Sequence, residues 1–166
     1  MTSVTAWTFP TADGVDEALS RLRSLADRGL ICVDDAAAVS WPPSRRKPKL
    51  RELGSLTGPG ILWGGFWGWL LGMIFLTPLA GLAFGAAAGA VVGSLVDVGI
   101  NGAFITQVRT EVRAGTSALF VLSHGATVDA VADALSDLDV RLVRSDLSDD
   151  EETELRAIFT EEEATA

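Results

Sequence analysis

Histidine, cysteine and tyrosine are nearly missing: the chain has one His, one Cys and no Tyr in 166 residues. A single cysteine, Cys32, rules out an intrachain disulfide and agrees with a reducing compartment. With one His and one Cys, a structural zinc site of the usual ligands cannot form within one chain. No metal and no cofactor is expected. The first fourteen residues contain neither a basic stretch nor an apolar core, so a secretory signal is not expected and the soluble parts should stay in the cytoplasm. Charge is missing over a longer stretch, since Leu53 to Val96 holds no Asp, Glu, Lys or Arg.

The charge that is present is segregated. The net charge is −9, and Asp146 to Glu163 carries nine acidic residues against Arg156 alone. The acidity therefore belongs to the tail. It favours solubility and disfavours nucleic acid as a partner.

Outside the uncharged run the chain repeats itself. Thr11-Ala12-Asp13-Gly14-Val15-Asp16-Glu17-Ala18-Leu19 aligns with Thr127-Val128-Asp129-Ala130-Val131-Ala132-Asp133-Ala134-Leu135. Each copy follows a strand-like run, Val4–Phe9 or Ala118–Ser123. Each precedes another, Ile31–Val39 or Arg141–Arg144. Val15, Leu19, Leu22 and Leu25 recur at helical spacing, as do Val128, Val131, Leu135 and Leu138. Thr11 and Thr127 are expected as N-caps, with Asp13 and Asp129 in the first turns, and Gly29 should end the first helix. Two strand–helix–strand units in tandem give an α+β fold of ferredoxin-like β-α-β-β-α-β order. Its first and third strands should lie side by side. A further helix over about Asn101–Arg113 leads into the third strand. Ser148-Asp149-Asp150-Glu151 reads as a capping box opening a short C-terminal helix.

The uncharged run is set between the two halves. Gly60, Gly64, Gly68 and Gly72 are four residues apart, and so are Gly81, Gly85, Gly89 and Gly93. On a helix that spacing gathers each set on one face, where another backbone can approach closely. Each interior glycine costs about 1 kcal/mol of helix propensity, so this many glycines need a compensating close contact. Thr57-Gly58-Pro59 suits a helix start and Thr77-Pro78 a division. One helix from Pro59 to Val96 would be about 57 Å long, too long for one bilayer, so a helical hairpin is expected. Its arms are short, roughly 25 Å against about 30 Å of hydrocarbon. A two-span hairpin, a re-entrant hairpin and the apolar core of a water-soluble oligomer all remain open. Arg45, Arg46, Lys47, Lys49 and Arg51 precede the run as a candidate membrane-surface set, which would hold that flank on the cytoplasmic side. An ordinary solvated linker is the alternative.

The organisation is therefore a first βαβ half with a basic linker (1–52), an apolar glycine-zipper hairpin (53–97), a helix with the second βαβ half (98–147) and an acidic C-terminal helix or tail (148–166).

These features resemble a bacterial family known only as a domain of unknown function, number twelve sixty-nine, whose members are usually described as uncharacterised membrane proteins. The resemblance rests on the strand ending at Phe9, the Ala18-Leu19 helix and the zippered run from Gly60-Ile61-Leu62-Trp63-Gly64. It continues through Val98-Gly99-Ile100-Asn101, Phe104-Ile105, Gly115 to Leu122 and Leu142 to Ser148. It implies no activity and no catalytic residues. The acidic end from Glu161 to Ala166 departs from the family's pattern.

No catalytic residue stands out. His124 follows the third strand, and adjacent Ser123 would point to the opposite sheet face. Asp34-Asp35 reads as an exposed strand pair. The glycines are not followed by the Gly-Lys-Ser/Thr of a phosphate loop. The expectation is a non-enzymatic membrane-associated protein that self-associates through its zippers, with a cytoplasmic ferredoxin-like domain acting as scaffold or sensor. Its partners would be the lipid bilayer, other copies of itself, and an unknown protein or small molecule. The alternative is a soluble or vesicle-like structural assembly with a glycine-zipper core. A small channel ranks below both, because the run offers no charged lining.

Overall fold

The computed structural model describes residues 2–52, 102–148, 150 and 153. The glycines at four-residue spacing and most of the acidic tail lie outside them. The described elements are β1 (Thr2–Phe9), α1 (Gly14–Asp27), β2 (Val33–Ser40), β3 (Lys49–Glu52), α2 (Gly102–Glu111), β4 (Ser117–His124), α3 (Gly125–Ala134) and β5 (Arg141–Leu147).

The five strands form one sheet in the order β3-β2-β4-β1-β5, with every neighbouring pair antiparallel. β1 and β2 run in the same direction with β4 between them. β4 and β5 likewise run together with β1 between them. Each strand–helix–strand unit thus leaves a gap that a strand of the other unit fills. Val4 lies opposite Leu122 and Phe9 opposite Ser117, so the first and third expected strands are neighbours.

On one face Trp7, Phe9, Leu119, Val121, Ala36 and Ala38 meet Val15, Ala18 and Leu22 of α1, Val128 and Val131 of α3, and Leu135 at its C-cap. The intervening residues point the other way. They are buried too, Val4, Ala6, Ala37, Val39, Phe120, Leu122, Val143 and Leu147 among them. On that second face α2 packs against β1 and β5 and contributes buried Phe104 and Val108. Burial on both faces explains why Ala118–Leu122 is a continuous apolar run rather than an alternating one.

Several local details differ from the sequence expectations. Neither threonine caps a helix. The N-cap of α1 is Asp13, with no side-chain cap bond. The orphan N–H of Val15 instead donates to Ser117 Oγ of β4 at 3.0 Å, and that hydroxyl donates to Thr11 O at 2.7 Å. A tertiary contact does the work of a local cap. Thr127 lies inside α3, whose N-cap is His124. Its hydroxyl accepts from Cys32 N and donates to Cys32 O, tying α3 to the segment before β2. Gly29 behaves as expected. It adopts φ +69°, and the N–H groups of Gly29 and Leu30 close onto Ala26 O and Leu25 O, a Schellman end. The basic stretch is only partly a linker, because Lys49–Glu52 forms the edge strand β3. The second strand ends at Ser40 and the last one extends to Leu147. Asp150 and Thr153 are helical, but the rest of the expected terminal helix lies outside the described residues.

Candidate functional site

Two sheet ends carry the polar chemistry. At the Phe9 end, β1 finishes, β4 and β5 begin, and α2 brings in its C-terminal turn. The sequence explains the tight turn into β4. Gly115 has φ +91°, a left-handed conformation that suits glycine. Thr116 Oγ1 accepts from Arg113 N at 2.9 Å and donates to Arg113 O at 2.7 Å. The turn is pinned to the start of the basic loop: Gly115 N donates to Trp41 O, and Trp41 N donates to Thr116 O. Trp41 Nε1 in turn donates to Arg45 O at 3.0 Å.

An open cleft of about 520 Å³ lies at this end, between the end of β1, the last turn of α2 and the approach to β5. Glu111 is fixed within it. Its Oε2 accepts from Thr8 Oγ1 at 2.7 Å and its Oε1 from Gln107 Nε2 at 3.3 Å. Arg113, Asp139 and Arg141 also line the cleft.

The five basic residues expected at a membrane surface separate into two groups. Arg45, Arg46 and Lys47 are exposed in the loop, and Lys49 is exposed at the start of β3. Arg51 instead donates to Asp16 Oδ1 at 2.5 Å, against the first turn of α1. β3 runs from Lys49, opposite Ser40, to Glu52, opposite Ala37, and so leads away from the Phe9 end. At about 3.4 Å per residue, β3 carries the chain roughly 10 Å from Lys49 to Glu52.

The other end holds His124. Its Nδ1 is 3.3 Å from Thr2 Oγ1 and its Nε2 is 3.6 Å from Asp34 Oδ2. A bulge between Val33 and Asp35 frees Asp34 from the regular ladder. Sequence reasoning missed this pairing, since a bulge leaves no mark in an Asp-Asp dipeptide. The arrangement brings side chains of three strands together. It does not make a nucleophile, because Thr2 is buried and 3.6 Å exceeds hydrogen-bond length. Ser123 Oγ is buried without a hydrogen-bond partner and belongs to the opposite face, as alternation requires. Cys32 is exposed. Among the described residues no three His, Cys, Asp or Glu side chains gather to hold a metal ion.

Near the same end, Asp146 is held below its ordinary value of 3.8 by the hydrogen bond from Ser3 Oγ, at 2.5 Å, and then by Arg144. A depressed carboxylate pKa stabilises the fold above the unfolded pKa, and that stabilisation is lost as pH falls through the folded value. Asp146→Asn should therefore lower stability at neutral pH and flatten its decline below about pH 4. Denaturation midpoints between pH 7 and pH 2 measure this. A parallel offset at every pH would remove Asp146 as the cause.

Among the described residues no helix is long and apolar enough to cross a membrane. No curated protein and no solved structure matches the chain. A family model does match, over residues 61–160, which takes in α2, β4, α3 and β5 and leaves out β1, α1, β2 and β3. The chain therefore belongs to the family described as "Protein of unknown function (DUF1269)".

Proposed function

We propose that this is a non-enzymatic, membrane-associated protein that self-associates through glycine-zipper helices. Its αβ part, read as a ferredoxin-like domain with β3 added at one edge, faces the cytoplasm as a scaffold or sensor. The observation that carries the proposal is the run Leu53–Val96. It has no charge, holds two sets of glycines at four-residue spacing, and lies between β3 and α2. Close glycine-lined packing is what drives helix association in lipid, where apolar burial gives no advantage. The exposed bases of the Trp41–Lys49 stretch favour an anionic surface beside the domain. A soluble or vesicle-like assembly with a zippered core remains the second reading, since the same glycines would pack there equally well.

Fractionation without detergent, followed by sizing, separates these readings. Membrane association predicts a pellet released only by detergent. A soluble assembly predicts a large particle in the supernatant. Gly68→Leu with Gly85→Leu should reduce the oligomer size or block insertion, because each added side chain forces backbones apart and forfeits many contacts of about 0.1–0.2 kcal/mol. An unchanged size and unchanged stability would remove the zipper from the account.

A further inference from the structure

We infer that the cleft at the Phe9 end binds a small zwitterion carrying an oxyanion and a primary ammonium group, as in phosphoethanolamine. Arg21, Arg51 and Arg144 each sit against a carboxylate. Among the described residues Arg113 and Arg141 form no ion pair with a carboxylate, although two carboxylates line the same cleft. Asp139 and Arg141 are two residues apart at the approach to β5 and form no ion pair with each other. The cleft thus carries both signs of charge.

Each group is suited to one half of such a ligand. Arg113 Nε donates to Thr110 O at 2.7 Å, which fixes the plane of its guanidinium and leaves its other nitrogens available. Arg141, at the start of β5, also lines the cleft and forms no ion pair among the described residues. A guanidinium fork matches the oxygens of a phosphate or carboxylate. Glu111, already oriented by Thr8 and Gln107, keeps lone pairs for a further donor. Asp139 adds a second acceptor. An ammonium group supplies three N–H donors to satisfy them.

The charge balance selects this ligand class. A bare anion would meet two carboxylates and the negative end of α2. A bare cation would meet two guanidinium groups. Only a ligand carrying both signs gains on both sides. The volume, about 520 Å³, suits a small molecule. Exposed Pro10 provides an apolar surface for its carbon linker. The same chemistry is offered by the headgroup of an ethanolamine phospholipid and by free phosphoethanolamine. The inference does not depend on the membrane proposal, since either source can fill the cleft.

The test uses the full chain in a nonionic detergent, titrated calorimetrically with phosphoethanolamine, phosphocholine and inorganic phosphate. Saturable binding of phosphoethanolamine is expected. Phosphocholine, whose quaternary nitrogen has no N–H, should bind about tenfold more weakly, and phosphate at least as weakly. Arg141→Gln and Asp139→Asn should each weaken binding about tenfold with the melting temperature unchanged, because both side chains are exposed. Repeating the titration in phosphatidylcholine nanodiscs with and without phosphatidylethanolamine identifies the source. Competition by the lipid indicates the headgroup, and no competition indicates the free molecule. The inference is overturned by the absence of saturable binding, by equal affinity for phosphocholine or phosphate, or by indifference to both variants. A chain that pellets with membranes yet binds no phosphoethanolamine overturns this inference alone.

Discussion

Leu119→Ala should destabilise the αβ domain by about 2–5 kcal/mol, the range for deleting a fully buried leucine side chain. Leu119 is fully buried on β4, the middle strand of the sheet. Trp7 of β1 and Ala38 of β2 lie directly opposite it. Above it sit the apolar faces of α1 and α3. A cavity here is bounded by elements from both halves of the chain, each fixed by its own hydrogen-bond ladder. The surroundings can collapse little, which places the cost in the upper part of the range. Leu142→Ala is the control, since Leu142 is 40% exposed on the edge strand and should cost well under half as much. Urea denaturation of the full chain in nonionic detergent measures both. The midpoint should fall for Leu119→Ala with the slope unchanged. A loss below about 1 kcal/mol would mean that β4 is not the centre of the core.

The repeat exposed the strand pairing to sequence reasoning because hydrophobic spacing and turn residues are local properties. Val15, Leu19 and Leu22 mark the buried stripe of α1 directly, and Gly29 marks its end. What escaped was set by contacts distant in sequence. Ser117 replaces a helix cap from 102 residues away, and Thr127 binds Cys32 across 95 residues. No local pattern encodes either. β3 was hidden by its own composition, since Lys49-Leu50-Arg51-Glu52 has the charge of a solvated linker. An edge strand needs little more than one partner, and charge on an edge discourages aggregation. The cleft was invisible for a similar reason. Arg113, Asp139 and Arg141 are unremarkable in sequence and matter only because the turn at Gly115 and the start of β5 converge.

Excising Leu53–Val96 and joining the ends with a short Gly/Ser linker should give a soluble domain that unfolds cooperatively. The family match starts at residue 61 and so omits β1 and β2, yet these are the two strands that flank β4. A fold limited to the matched residues would leave β4 and β5 separated by an empty lane. The residues on either side of the excised run are therefore mutually dependent. Their links are numerous and specific: Arg21 of α1 donates to Ala134 O at 3.0 Å, Thr127 holds Cys32, Ser117 holds Val15, and Trp41 pairs with the turn before β4. Among the described residues, the cluster beneath α1 and α3 draws on both halves. A shorter connection lowers the closure cost slightly, by about 0.6 kcal/mol per halving of loop length. The second face sets the sharper condition. Phe120 and Leu122 lie there, and α2 packs on β1 and β5. The shortened protein should remain in a detergent-free supernatant, show mixed αβ circular dichroism and melt in one transition. Binding of a hydrophobic dye would report any exposure of the Phe120 face. A disordered-chain spectrum would show that the two halves do not form one domain without the uncharged run, and the repeat would then need another explanation.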